Sequence, residues 1–225
     1  MVAGLQRKEG YNKYGEILIM ARYNGPRARV VRRLEYPVFE STKFSAIRKS
    51  YPPGQHGPAH ARRRKQSDYA VQLREKQRVK MRYGLLEKQF RRLFEHANNR
   101  AGVTGENLLV ALESRLDNIV YRMGFAKPRR QERQLVNHRH FEVNGSSVNI
   151  PSYSVKPGDQ VAIRPKSKDL SVVEVALEEA GTKRRLPEWL VLDEKNLIGR
   201  MARTPIRTDL DASINEQLIV ELYSK

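Results

Sequence analysis

The 225-residue chain contains no cysteine, which excludes disulfides, thiolate nucleophiles and cysteine-based zinc sites together. It also lacks a long apolar run. Ile17 to Ala21, the longest near the start, falls short of the roughly 18 residues of a membrane span and the about 7 to 15 of a secretory core. Neither a membrane partner nor export is expected, so the protein is read as cytoplasmic. Negative charge is scarce as well. Against 43 Lys and Arg stand 25 Asp and Glu, a net charge of +18, and a pI near 10.3 marks a polyanionic partner. Nucleic acid fits that requirement best.

The length allows one domain or two small ones. With 39% hydrophobic residues, 30% charged residues and a mean hydropathy of −0.68, the composition describes thin cores under large solvated or RNA-covered faces. The charge is unevenly spread. Residues 1–110 hold 24 basic and 9 acidic residues, residues 113–164 hold 9 and 5, and residues 165–225 hold 10 and 11. Phosphate contact is therefore expected mainly in the N-terminal half, and the C-terminal third is expected to serve the fold.

Residues 22–50 are basic and weakly periodic, with Arg22, Arg27, Arg29, Arg32 and Arg33 in one short stretch. Alone, this segment has too few core candidates to fold. Tyr51-Pro52-Pro53-Gly54-Gln55-His56-Gly57-Pro58 follows as a turn-rich loop in which Pro and Gly exclude helix. The four adjacent cations Arg62, Arg63, Arg64 and Lys65 repel one another unless anions intervene, as in a loop lying on a phosphate backbone.

Ser67 and Asp68 offer an N-cap for a helix through about Arg82, closed at Gly84. Arg74, Arg78 and Arg82 recur every four residues and form one stripe suited to bidentate phosphate contact, an ordinary solvated face being the alternative reading. In the next helix Phe90, Leu93, Phe94 and Ala97 share an inward face and are read as core rather than as a platform for bases. A third helix runs from Thr104 to a stop at Gly124, with Leu108, Leu112, Leu116, Ile119 and Met123 inward and Arg115 and Arg122 among them. Pro128 suits the first turn of a fourth, where Arg129, Arg130 and Arg133 flank the inward Leu135 and Val136.

The period then changes. Phe141 and Val143, the turn signal Asn144-Gly145, and Val148 and Ile150 predict a hairpin, and Lys156-Pro157-Gly158-Asp159 a second turn before Val161 and Ile163. Residues 113–164 thus read as two helices and a small sheet. Beyond them lie an amphipathic helix near Leu170 to Ala180, a short strand Trp189 to Leu192, and a final alternating run from Leu218 to Tyr223.

These residues also carry a family resemblance. Leu112-Glu113-Ser114-Arg115-Leu116-Asp117-Asn118, Tyr121-Arg122-Met123-Gly124-Phe125 and Val143-Asn144-Gly145 resemble the small RNA-binding module, of alpha-L type, named after ribosomal protein four. Met20-Ala21-Arg22-Tyr23, Pro53-Gly54-Gln55-His56-Gly57, Ser67-Asp68-Tyr69, Leu73-Arg74-Glu75-Lys76-Gln77 and the ending from Ile214 to Lys225 extend it. From Met20 onward the chain is similar, in order and spacing, to the small-subunit ribosomal protein four family. Members commonly begin at the position of Met20, so residues 1–19 are read as a lineage extension or, preferably, the product of an upstream start codon. Many members have a cysteine-based zinc site soon after that start. Here the matching region, about 28 to 48, has no cysteine.

The resemblance implies an α+β fold: a mainly helical N-terminal region at 20–112, the RNA-binding module at 113–175, and a C-terminal segment at 176–225 packing back on the fold. It implies a structural constituent of the small subunit that binds 16S rRNA early and nucleates its 5′ domain. It further implies ribosomal proteins five, twelve and three as neighbours, effects on decoding accuracy, a place at the mRNA entry channel, and in some bacteria repression through its own mRNA. The expected footprint is residues 22–100 with the module as a second contact. No cofactor and no small-molecule substrate are implied.

Duplex RNA has a major groove too deep and narrow for side chains to read, so phosphates, 2′-hydroxyls and junction shape are the expected targets. Other classes fit less well. The module also resembles the RNA-targeting domain of certain pseudouridine synthases and aminoacyl-tRNA synthetases, but only 61 residues follow Arg164 and no phosphate-cradling Gly loop is present, so catalysis is not expected. His56 and His60 lack a carboxylate or cysteine nearby for a metal, and His56 is better read on RNA. His138 and His140 are assigned to local packing. An RNA chaperone or regulatory protein outside the ribosome is the competing non-enzyme reading.

Overall fold

The computed structural model describes residues 23–39, 49, 51–60, 67–168, 170–183 and 186–224. The basic N-terminal stretch contributes α1 (Arg27–Leu34), whose Val31 and Leu34 are buried. The Pro and Gly loop ends in a single helical turn, α2 (Gly57–His60), where only loop was expected. A Cβ on Gly57 would collide with the Pro52 carbonyl, so the tight return of the chain requires glycine there.

The next two helices match the sequence pattern. α3 (Asp68–Arg82) is capped by Ser67, whose hydroxyl accepts from the Ala70 N–H at 3.3 Å, and it closes at Gly84 with φ +63°. α4 (Glu87–Asn98) buries Phe90, Phe94 and Ala97. The single helix expected from Thr104 to Gly124 is instead two, α5 (Thr104–Glu113) and α6 (Leu116–Arg122), because Arg115 is extended (φ −69°, ψ 140°). The apolar phase runs unbroken through Leu108, Leu112, Leu116, Ile119 and Met123, all buried, so periodicity conceals the break. Its backbone partners come from far along the chain. The Leu116 N–H donates to the Tyr153 carbonyl at 2.8 Å, Asp117 N–H to Pro151 at 3.1 Å, and Val155 N–H to the Ser114 carbonyl at 2.9 Å.

α7 (Arg129–Asn137) starts just after Pro128, which sits at the N-cap rather than inside the first turn. β1 (Phe141–Val143) and β2 (Ser146–Ser147) form the hairpin, with Asn144 and Gly145 at φ +50° and +76° as a type I′ turn needs. Alternation stops there. Ile150 is exposed, because the chain leaves the sheet to supply the break at Arg115. β3 (Gln160–Ile163) pairs antiparallel with β1, setting Phe141 opposite Ile163.

The sheet does not end at residue 164. After α8 (Ser171–Lys183), β4 (Leu190–Asp193) and β5 (Ile198–Met201) complete five antiparallel strands in the order β2-β1-β3-β5-β4. The final run, read as alternating, is helix α9 (Glu216–Tyr223), capped by the Asn215 side chain. It lies on α3 and α5, and burial against two helices decides a pattern too short to settle by period.

Two cores result. Val79, Phe90, Phe94, Leu108, Leu112, Ile214 and Ile219 form the helical one, and Leu116, Val120, Phe125, Phe141, Val161, Trp189 and Met201 the other. No described helix is long and apolar enough to cross a membrane. Trp189, 1% exposed, carries the C-terminal strands into the second core. Trp189→Ala is expected to destabilise the protein by about 4 kcal/mol; thermal unfolding checks this, and a loss below about 1 kcal/mol would contradict the packing described.

Candidate nucleic-acid interface

The two cores meet at the Ser114–Arg115 break, and the seam between them is charged. Glu113, 1% exposed, receives Arg122 bidentately, Nε at 3.0 Å and Nη2 at 2.6 Å, and the Tyr83 hydroxyl at 2.6 Å. Asn118 donates through Nδ2 to the Glu113 carbonyl at 3.0 Å and to its carboxylate, and in turn accepts from Arg129. The Arg129 guanidinium lies between the rings of Tyr83 (4.9 Å) and Tyr121 (4.4 Å). Burial alone would raise the Glu113 pKa, but Arg122, then Arg129 and the Tyr83 hydroxyl hold it down to about 2. Burial, followed by the Glu113 charge, pushes the Tyr83 hydroxyl well above the usual phenol range.

A second buried pair stands one step along. Arg115 donates to Asp117 through Nε at 3.0 Å and Nη2 at 2.6 Å, Asp117 also accepts the Asn118 N–H at 2.9 Å, and Arg133 lies 3.8 Å away. Of the module cations expected on RNA, Arg115 is thus committed to Asp117 and Arg122 to Glu113. Arg130 donates to the Tyr23 carbonyl, tying α7 to the N-terminal segment.

The α3 arginines do form one stripe, yet each has a partner within the chain. Arg74 meets Glu35 at 3.3 Å, Arg78 meets Glu75 at 2.8 Å and stacks over Tyr36 at 4.3 Å, and Arg82 pairs with Asp211. Asp211 also accepts the Ser213 N–H at 2.9 Å; against the upward push of burial, Ser213 and then Arg82 bring its pKa to about 2.

In α1, Arg32 donates to the carbonyls of Tyr51 and Pro52, both at 3.0 Å, and stacks over the Tyr51 ring at 4.8 Å, fastening the helix to the loop. Arg27 is half-buried, whereas Arg29 and Arg33 are exposed, as are Gln55 and His56 in the loop. An open cleft of about 630 Å³ between α1 and α3 is lined by Val30, Leu34, Leu73 and Met81 with Arg33 and Arg74. Arg22 and the run Arg62, Arg63, Arg64 and Lys65 lie outside the described residues. At the α7–β1 corner the rings of His138 and His140 are 6.1 Å apart, and His140 Nδ1 is 2.9 Å from the Ser167 hydroxyl. Burial, then His138 and Arg164, lower the His140 pKa. Among the described residues no cluster of three His, Asp or Glu is placed to hold a metal.

Sequence reasoning missed the structural half of this arrangement, namely Tyr83, Glu113 and Asn118. The stop at Gly84 announces the end of α3, but nothing local announces that Tyr83 reaches Glu113, 30 residues on. Because Glu113's folded pKa lies below its ordinary 4.5, its contribution to stability is complete above that value and is lost as pH falls toward 2. Glu113→Gln is expected to cost about 3 kcal/mol at neutral pH and to flatten the loss of stability between about pH 4.5 and 2. Urea unfolding across that range checks it, and parallel profiles for the two proteins would contradict the assignment.

Comparison with known proteins divides the chain at the same seam. The model of the "Ribosomal protein S4/S9 N-terminal domain" matches residues 22–113, and that of the "S4 domain" matches residues 114–161. The small ribosomal subunit protein uS4 of Parabacteroides distasonis is 52% identical over 206 residues, and that of Salinibacter ruber 50% over 206. That of Chloroflexus aurantiacus is 54% identical over 208 residues; each comparison covers 92% of this chain and the whole of the relative. The chain belongs to the uS4 family of small ribosomal subunit proteins, a family of structural ribosomal proteins and not of enzymes.

Proposed function

We propose that this protein is a structural constituent of the small ribosomal subunit that binds 16S rRNA early and nucleates folding of its 5′ domain. The observation carrying the reading is the uneven charge: 24 basic against 9 acidic residues over 1–110, on a scaffold whose N-terminal region matches the ribosomal family model at 22–113. The main footprint is residues 22–100, where Arg29, Arg33, Gln55 and His56 face solvent and the run Arg62 to Lys65 adds four cations. The module that begins at 113 supplies a second contact; its expected end at 175 falls within α8, and β4 and β5 from 176–225 complete its sheet. Neighbouring ribosomal proteins five, twelve and three, a role in decoding accuracy and at the mRNA entry channel, and repression through its own mRNA belong to the same reading.

Phosphate contact releases counterions, so affinity should fall steeply with salt. Replacing Arg62, Arg63, Arg64 and Lys65 together by Ala should make the log–log salt slope for a 5′-domain rRNA transcript shallower by about 3 while leaving the protein folded. An unchanged slope would contradict the assignment of these cations. Cofractionation of the tagged chain with small subunits on a sucrose gradient is expected, and its confinement to light fractions would overturn the ribosomal reading.

A further inference from the structure

Helix α8 departs from the charge pattern of the rest of the chain. In a protein of net charge +18, its 13 residues carry Glu174, Glu178 and Glu179 against the single Lys183. The helix is seated by Val173 and Ala176, 2% and 4% exposed, and Val173 joins the second core. The neighbouring positions turn the other way: Ser171 and Glu174 are exposed, and Val172 and Val175 are exposed to 39% and 54%. Among the described residues no hydrogen bond or ion pair engages the Glu174 carboxylate. The acids of α9 differ in this respect, since Glu216 meets Arg207 at 2.8 Å and Glu221 accepts from Gln72 at 2.9 Å.

Beside this face lies an open groove of about 260 Å³. Ser171, Val172, Val175 and Ala176 form one wall, and Lys127 and Gln131, just before and within the first turn of α7, form the other. The Gln131 side chain accepts the Lys127 N–H at 2.9 Å, which fixes the far wall.

We infer that this groove is a docking site for another protein of the small subunit, engaged through a cationic segment that places an apolar side chain between the two walls. The inference rests on the ribosomal reading above and adds to it a partner surface on α8. Other occupants fit less well. RNA phosphates are repelled by the acids of α8 and gain nothing from exposed valines. A second copy, in a two-fold contact, would set the same acid-bearing helix against itself between two chains of net charge +18. A small molecule is poorer too, because the groove is open and smaller than the roughly 300–1,000 Å³ of ligand pockets. A cationic protein segment answers both features at once: an apolar anchor in the groove supplies binding energy, and opposite charge fixes its orientation.

The test is made in assembled small subunits. Because the chain has no cysteine, Val175→Cys supplies its single thiol. N-ethylmaleimide should label that thiol about tenfold more slowly in purified subunits than in the free chain, as expected for a position at an interface centre. Carbodiimide treatment of subunits carrying the unaltered chain should join the Glu174 carboxylate to a Lys of a different protein, identified as a cross-linked peptide by mass spectrometry. Val175→Arg leaves Glu174 in place but removes the apolar contact and repels a cationic segment. It should lower the yield of that link about tenfold, with thermal unfolding of the free chain and entry into subunits unchanged. Should Val175→Arg fail to fold, the labelling rates and the link from the unaltered chain decide the matter without it. Equal labelling rates in subunits and free chain overturn the proposal. Slow labelling without a Glu174 link makes the cover rRNA, and a link to a second copy makes it self-association; either overturns the proposal, as does a link that survives Val175→Arg at full yield. An unaltered chain that never enters small subunits overturns the ribosomal reading and this proposal with it.

Discussion

A carboxylate can remain ionised inside a protein only where positive charge and hydrogen-bond donors surround it, and Glu113 meets that condition at the point where the two cores join. Its donors come from different parts of the chain: Tyr83 from the end of α3, Asn118 and Arg122 from α6. Arg129 of α7 holds Asn118 and stacks on Tyr83 at the same time. Each donor therefore fixes an element, and together they set the helical region against the module. The helix break at Arg115 belongs to the same arrangement, because Glu113 ends one helix and Leu116 begins the next.

That constraint sorts the arginines of the module. Arg122 and Arg115 are bound to buried carboxylates, and their guanidinium groups stabilise a junction. In a medium of low polarity such pairs are retained because removing either partner leaves a buried charge. Cations meant for phosphates are under the reverse requirement, since a strong internal partner would compete with RNA. Arg29, Arg33, Lys88, Arg92 and Arg100 are exposed. Burial and partner identity thus separate the junction arginines from the exposed cations.

Much of the architecture was legible in the sequence because its signals are local. Ser67 and Gly84 bound α3, Phe90 and Phe94 mark the inner face of α4, and Asn144-Gly145 fixes the hairpin turn. The failures share one cause, which is that distant residues decide the outcome. The break at Arg115 depends on carbonyls of Pro151 and Tyr153, the sheet gains β4 and β5 from residues 190–201, and α9 is helical where it lies on α3 and α5. The arginine stripe on α3 was visible from spacing alone. Its partners Glu35 and Asp211, 39 residues before Arg74 and 129 after Arg82, were not.

The charge gradient along the chain consequently has two origins. Part of it is the surplus of exposed cations in the N-terminal half, which faces outward. Part is internal complementarity, because the C-terminal third, where acids slightly outnumber bases, supplies groups that engage the helical region. Asp211 meets Arg82, Glu221 accepts from Gln72, and the Tyr223 hydroxyl donates to Glu87. Net charge per segment therefore overstates the uncompensated positive charge of α3, where Glu75 of the helix itself and Glu35 and Asp211 from elsewhere in the chain meet its arginines. On α4, by contrast, Glu87 is held by Lys76 and Lys80 of α3, while Glu95 pairs with Arg91 of the same helix.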